Sequence, residues 1–140
     1  MPAPASPTLH YTARTPPAPV LLRAYHATAY TVPAWGLDLR VGCYNPRLLA
    51  VMGQHATGDW ALLTAANPGS RPTPPAANRA RQGAMLRCLR RMGWYAYPAW
   101  GHPLAPGWAP EPAFFVPGLP ARQARALCRA FGQVAWLGPA

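Results

Sequence analysis

The sequence predicts an α+β sandwich, a single domain with a mixed sheet of about five or six strands and three or four helices. Three observations carry this. The chain has 140 residues, 51% of them hydrophobic, which is one domain's worth of chain with enough apolar surface to bury a core. Apolar residues recur with a helical period in some segments and alternate with period two in others. The segments follow in the order α-β-β-α-β-α-β-β-α-β, in which strand pairs and helices share one short chain.

The first 19 residues hold six prolines and no continuous apolar stretch. Residues 1–19 are therefore expected to form an extended or poorly ordered arm, ahead of a globular unit at 20–140. The segment lacks the apolar centre of a secretory signal, and no run approaches the ~20 apolar residues of a membrane span. A cytoplasmic location without membrane association is the expectation.

Leu21, Leu22 and Tyr25 recur at helical spacing between Val20 and His26. Thr28 to Val32 is β-prone, Pro33 to Gly36 is a turn, and Leu37, Leu39 and Val41 alternate with Asp38, Arg40 and Gly42 as far as Cys43, which predicts a hairpin. Asn45-Pro46 supplies an N-cap and a proline at the first helical position, for a helix reaching about His55. Trp60 to Ala66 is a short apolar run suited to a central strand buried on both faces. It breaks at Asn67-Pro68-Gly69-Ser70, and the prolines of Arg71 to Ala77 predict a rigid loop.

From Asn78 to Met92, residues Met85, Leu86, Leu89 and Met92 form one helical stripe, closed by Gly93. Trp94 to Trp100 and Ala113 to Val116 are expected strands around a loop from Gly101 to Pro112. Pro120 opens the last helix, with Ala124, Leu127, Cys128 and Phe131 facing inward, and Val134 to Leu137 is a closing strand.

Charge is lopsided. Thirteen arginines and no lysine stand against Asp38, Asp59 and Glu111, a formal charge of +10. A field of this sign favours polyanions, phosphorylated ligands or acidic surfaces, and an arginine-rich solvated surface is the plain alternative. Cys43, Cys88 and Cys128 are widely spaced, with no CxxC pair, and His10, His26, His55 and His102 are scattered. Buried reduced thiols are expected and no cofactor or metal is implied, although Cys43, His55 or His102 could still meet in space.

The candidate site lies where the Trp60–Ala66 strand leads through a loop into a helix, because free backbone N–H groups and the helix dipole there favour anions. Asn67 and Ser70 lie on the loop, and Asn78, Arg81 and Gln82 on the first turns of the helix. Asn78 and Gln82 share the face of Met85, Leu86 and Leu89, so they need partners, since burying them unpaired costs ~1–3 kcal/mol each. One solution is a ligand. The other is self-satisfaction, with Asn78 as an N-cap, Gln82 bonded to loop backbone and Asn67 in an Asx-turn.

Glu111, the lone glutamate, sits between Pro110 and Pro112 at the entrance to an apolar strand. It is the candidate catalytic acid/base, or the group that binds a ligand amine or hydroxyl. A structural salt bridge to an arginine is the alternative, and an arginine or an amide, Gln133 in particular, is the expected partner. Arg87, Arg90 and Arg91, and Arg122, Arg125 and Arg129, are assigned to outward helix faces. Trp35, Trp94, Trp100, Trp108, Tyr95 and Tyr97 offer π-surface for stacking bases or for packing. No triad, nucleophile elbow, phosphate-binding loop or dinucleotide fingerprint occurs, and three acids are too few for a two-metal nuclease.

The runs AYHATAY, LDLRVG, WALLTAANPGSRP, NRARQ, WAPEPAFFV and FGQVAW, in that order, resemble the bacterial domain-of-unknown-function family numbered 3293, from about Leu21 to Leu137. The resemblance implies a small cytosolic α/β-type domain with no established activity. It also implies that the characteristic polar positions are Asn67, Pro68, Ser70, Asn78, Arg81, Gln82, Glu111, Gly132 and Gln133. The expected function is binding of a phosphorylated ligand, a nucleotide or RNA, by Asn67, Ser70, Asn78, Arg81, Gln82 and Gln133. Two alternatives stand beside it: an enzyme acting on such a ligand with Glu111 as acid/base, and an arginine-rich interaction or ribosome-associated protein without a ligand pocket.

Overall fold

A computed structural model describes residues 5–55, 57–104 and 109–140. Its order is β1 (Thr8–Tyr11), α1 (Pro19–His26), β2 (Thr28–Val32), β3 (Leu37–Leu39), α2 (Pro46–Met52), β4 (Trp60–Leu63), α3 (Pro75–Arg91), β5 (Tyr97–Pro103), β6 (Glu111–Pro117), α4 (Ala121–Ala130) and β7 (Ala135–Gly138). The strands form one sheet in the order β1-β7-β4-β6-β5-β2-β3. The α+β class holds. The sheet has seven strands rather than five or six, and its pairings are all antiparallel rather than mixed.

Period-two alternation explains why the sheet carries a core on each face. Trp60 and Leu62 of β4 pack with Phe115, Val32, Leu39 and Leu137, and α2 adds Leu48 and Val51. Ala61 and Leu63 point the other way, toward Phe114, Val116 and Trp136, where α3 contributes Met85 and Leu89 and α4 contributes Ala124, Leu127 and Cys128. All four residues of β4 are buried, as expected of a central strand.

The proline-rich segment behaves differently from a free arm. Thr8–Tyr11 pair with Gly138–Ala135 as an edge strand, His10 stacks on Trp136 with ring centroids 5.2 Å apart, and His10 Nε2 lies 2.7 Å from the Pro139 carbonyl. The prolines fall outside the four-residue strand, and edge strands tolerate proline nearby. Residues 1–4 of the expected arm lie outside the described residues.

Helix ends follow local chemistry. Asn45 accepts the Leu48 N–H through Oδ1 at 3.0 Å, capping α2. Helix α3 starts at Pro75 rather than Asn78, because a proline at the first helical position needs no N–H partner. Its other end is a Schellman turn: Gly93, at φ +87°, donates to the Arg90 carbonyl and Trp94 to that of Leu89. Strand β3 stops at Leu39, short of the expected Cys43, since Gly42 turns at φ +75° and its N–H bonds the Pro7 carbonyl at 2.7 Å. Cys43 is consequently exposed; of the three expected buried thiols Cys128 is buried and Cys88 half-buried. Strand β5 is displaced along the chain from the expected Trp94–Trp100, and Trp108 lies outside the described residues.

Candidate functional site: a cleft beside the exit of β4

Beyond Leu63 the chain leaves the sheet while still buried, with Ala65 and Ala66 fully inaccessible. Backbone groups there have no ladder partner and would each cost about 1–3 kcal/mol if left unpaired. Side chains take the ladder's place. Gln82 Oε1 accepts from the Ala65 N–H at 2.7 Å, and Arg81 Nε donates to the Ala65 carbonyl at 2.7 Å. The Ala66 N–H donates to Thr64 Oγ1 at 3.0 Å, and the Ala66 carbonyl accepts from Gln133 Nε2 at 2.9 Å. The Asn67 N–H donates to Asn78 Oδ1 at 2.9 Å.

The C-terminus of α4 completes this clamp. Gly132, at φ +71°, closes a second Schellman turn, with Gln133 N–H on the Cys128 carbonyl. The turn presents the Phe131 carbonyl to Arg81 Nη2 and the Gly132 carbonyl to the Gly69 N–H at 2.8 Å. Arg81, Gln82 and Gln133 are thus committed to backbone. The expected anion cradle is not formed in the loop: the N–H groups of Asn67, Gly69, Ser70 and Thr73 are all taken by protein acceptors, and Arg81 holds two carbonyls. Self-satisfaction is the arrangement that obtains for these residues, with Asn78 in the first turns of α3 rather than as its N-cap.

Asn67 turns the chain in the left-handed region, at φ 47° and ψ 60°, which asparagine tolerates better than most residues. Its Oδ1 accepts from Thr73 N–H at 3.0 Å and Asn78 Nδ2 at 2.9 Å. This fixes its amide so that Nδ2 donates to Glu111 Oε2 at 2.8 Å. The partner of Glu111 is therefore an amide, as one branch of the expectation had it, but that of Asn67 rather than Gln133, and no arginine. Burial pushes the Glu111 carboxyl above the ordinary carboxylate range, and the Asn67 hydrogen bond, which favours the charged form, works against that.

Glu111 lines a cleft of about 710 Å³. Register builds its floor: Tyr30 stands opposite Gly101, and Gly101 opposite Glu111. Paired residues share a face, so the glycine leaves a gap between phenol and carboxyl; a Cβ there would sit 3.4 Å from Tyr30 Cε1. Helix α1 supplies Leu21, Ala24 and Tyr25, the loop supplies Asn67, Ser70 and Thr73, and Asn78, Arg79, Trp100 and several prolines complete the wall. Tyr25 Oη and Ser70 Oγ share a hydrogen bond of 2.9 Å. Burial raises the Tyr25 phenol above its ordinary pKa, the Ser70 hydrogen bond opposes this, and the nearby Glu111 charge adds to it. Tyr30 is raised in the same way, chiefly by burial.

Of the candidate residues the structure brings Asn67, Ser70, Asn78 and Glu111 to one cleft. Arg81, Gln82 and Gln133 stand behind it and hold the chain. Trp100, already offered as stacking surface, lines the same cleft; sequence reasoning missed Tyr25, Tyr30 and Gly101 as site residues, although AYHATAY and the β-prone 28–32 run already place two tyrosines on α1 and β2. Among the described residues no group of three or more His, Cys, Asp or Glu is placed to hold a metal ion, and no helix is long and apolar enough to cross a membrane.

Fold and cleft together define a small α+β domain with a pocket of ligand size, mostly apolar walls and a half-buried carboxyl. The chain belongs to the family described as a protein of unknown function, DUF3293, whose model matches residues 63–135. That match takes in the clamp, α3, β5, β6 and α4, and stops short of the α1–β2 wall of the cleft. No curated protein and no solved structure shows significant similarity to the chain.

Proposed function

We propose that this domain is a cytoplasmic binding module for a phosphorylated small ligand of nucleotide type, held in the cleft beside Glu111. The observation that carries the reading is the Glu111 carboxyl, oriented by Asn67 on the floor of a mostly apolar cleft of about 710 Å³. A carboxylate there accepts hydrogen bonds from ring N–H, amino or sugar hydroxyl groups, while Trp100, Tyr25, Tyr30 and the prolines shelter a planar ring. Arg79, exposed on α3 where it lines the cleft, is the cation suited to a phosphate. Calorimetric titration with the four nucleoside monophosphates and their nucleosides tests this. At least one monophosphate should bind, Glu111→Gln should weaken it about tenfold, and Arg79→Ala should erase the advantage over the nucleoside. No binding by any of them overturns the reading.

A second reading rests on Glu111 lying in the cleft with its carboxyl pushed above the ordinary carboxylate range by burial, the direction that suits a group that holds and passes a proton. In that reading Glu111 acts as acid/base on the same ligand. Incubation of the tightest-binding nucleotide should then yield a product with the native chain and none with Glu111→Gln; an unchanged nucleotide leaves binding alone.

A further inference from the structure

Helices α3 and α4 leave a groove between them of about 400 Å³, floored by Cys88, Met92, Leu127, Ala126, Ala130 and Phe131. It shares no residue with the cleft. We propose that this groove docks an acidic amphipathic helix of a partner protein.

Charge supplies the first argument. Neither helix contains an aspartate or glutamate, and arginines stand along both. Arg81 and Arg129 donate to backbone carbonyls and Arg125 lies over the Trp136 ring at 5.2 Å. Arg122, which lines the groove from α4, and Arg91, beside Met92 on α3, are instead exposed. A surface that is apolar along its floor and cationic along its edges is complementary to a helix with apolar anchors flanked by carboxylates. Met92, 43% exposed, is a side chain that adapts to such anchors.

A second copy of this chain packed groove to groove does not fit. Its acids are Asp38, Asp59 and Glu111 alone, so two such faces would meet with like charge. RNA would use the arginines but would ask for exposed aromatic faces to stack bases, and the groove offers Phe131, half-buried against the core, and none besides.

The test is fluorescence anisotropy of a labelled helical peptide with leucines at i, i+4 and i+7 and glutamates on both flanks. A scrambled peptide of identical composition and polyuridylate serve as comparisons. The matched peptide should bind about tenfold tighter than the scrambled one. Met92→Glu and, separately, Arg122→Glu should each abolish that preference while leaving circular dichroism unchanged, as both positions are exposed. Equal binding of matched and scrambled peptides, insensitivity to Met92→Glu, or tighter binding of polyuridylate than of the matched peptide would each overturn the proposal.

Discussion

Asn67 concentrates the site's logic in one side chain. It accepts twice through Oδ1 and donates once through Nδ2, and it does so from a left-handed backbone that glycine would adopt without strain. Asn67→Gly therefore removes the hydrogen bonds and keeps the turn. The variant should lose about 2 kcal/mol in urea unfolding, and the Glu111 carboxyl should titrate higher still, which NMR would detect. Glu111 itself gives a pH dependence whose sign is fixed. Its folded pKa lies above the ordinary value, so the native state holds the proton more tightly than the unfolded chain. The contribution is fully present below the ordinary carboxylate pKa and is lost as pH rises through the raised one. Glu111→Gln should flatten that slope and raise the melting temperature at pH 7 but not at pH 4. Arg81 and Gln82 show what the sequence could and could not reveal. Polar residues on the apolar face of a helix start announce that something must satisfy them. Whether that is a ligand or the buried backbone leaving β4 depends on where the chain goes after Leu63, which periodicity does not encode.

At the scale of elements, most of the fold was legible because each segment has a strong period or a firm stop. Asn45-Pro46 and Gly93 marked helix ends by chemistry that acts over a few residues. Strand β1 was not legible: four residues with prolines on either side give no pattern to read, and its stability comes from β7, more than a hundred residues away. Removing residues 1–12 should therefore cost more than trimming a tail. It strips the ladder and the His10–Trp136 stack and leaves β7 as a bare edge. Lower melting temperature with concentration-dependent aggregation, followed by light scattering, is the expected outcome. Gly132 makes a similar point about α4. Alanine there meets both a φ of +71° and Pro68 Cβ at 3.3 Å, so Gly132→Ala should destabilise by about 1–2 kcal/mol.

For the whole molecule, the cleft and the groove share no lining residue and stand on separate surfaces. The cleft opens where β2, β5 and β6 align Tyr30, Gly101 and Glu111, and the groove lies between α3 and α4. Gly101→Leu should fill the cleft and abolish nucleotide binding without touching the groove, with titration of nucleotide and of acidic peptide as paired readouts. The cleft's outer wall was not legible in the sequence, because it needs α1 to fold against strands and a loop that follow it by dozens of residues. Charge excess was visible at once. Its division into arginines that hold carbonyls, such as Arg81, and arginines that face outward, such as Arg122, required coordinates.

The clamp on residues 64–67 has a kinetic meaning. Surface loops commonly open by themselves, and their amides exchange with solvent long before a domain unfolds. Here the amides of Ala65, Ala66 and Asn67 are bound by Gln82, Thr64 and Asn78, and Arg81 and Gln133 hold the intervening carbonyls from α3 and from the end of α4. Opening of this segment breaks bonds both to α3 and to the turn that follows α4. In deuterium exchange these three amides should be protected as long as Met85 and Leu89 in the core of α3, and a single Arg81→Met change should release all three together. Irregular in shape, the segment keeps time with the most slowly opening part of the protein.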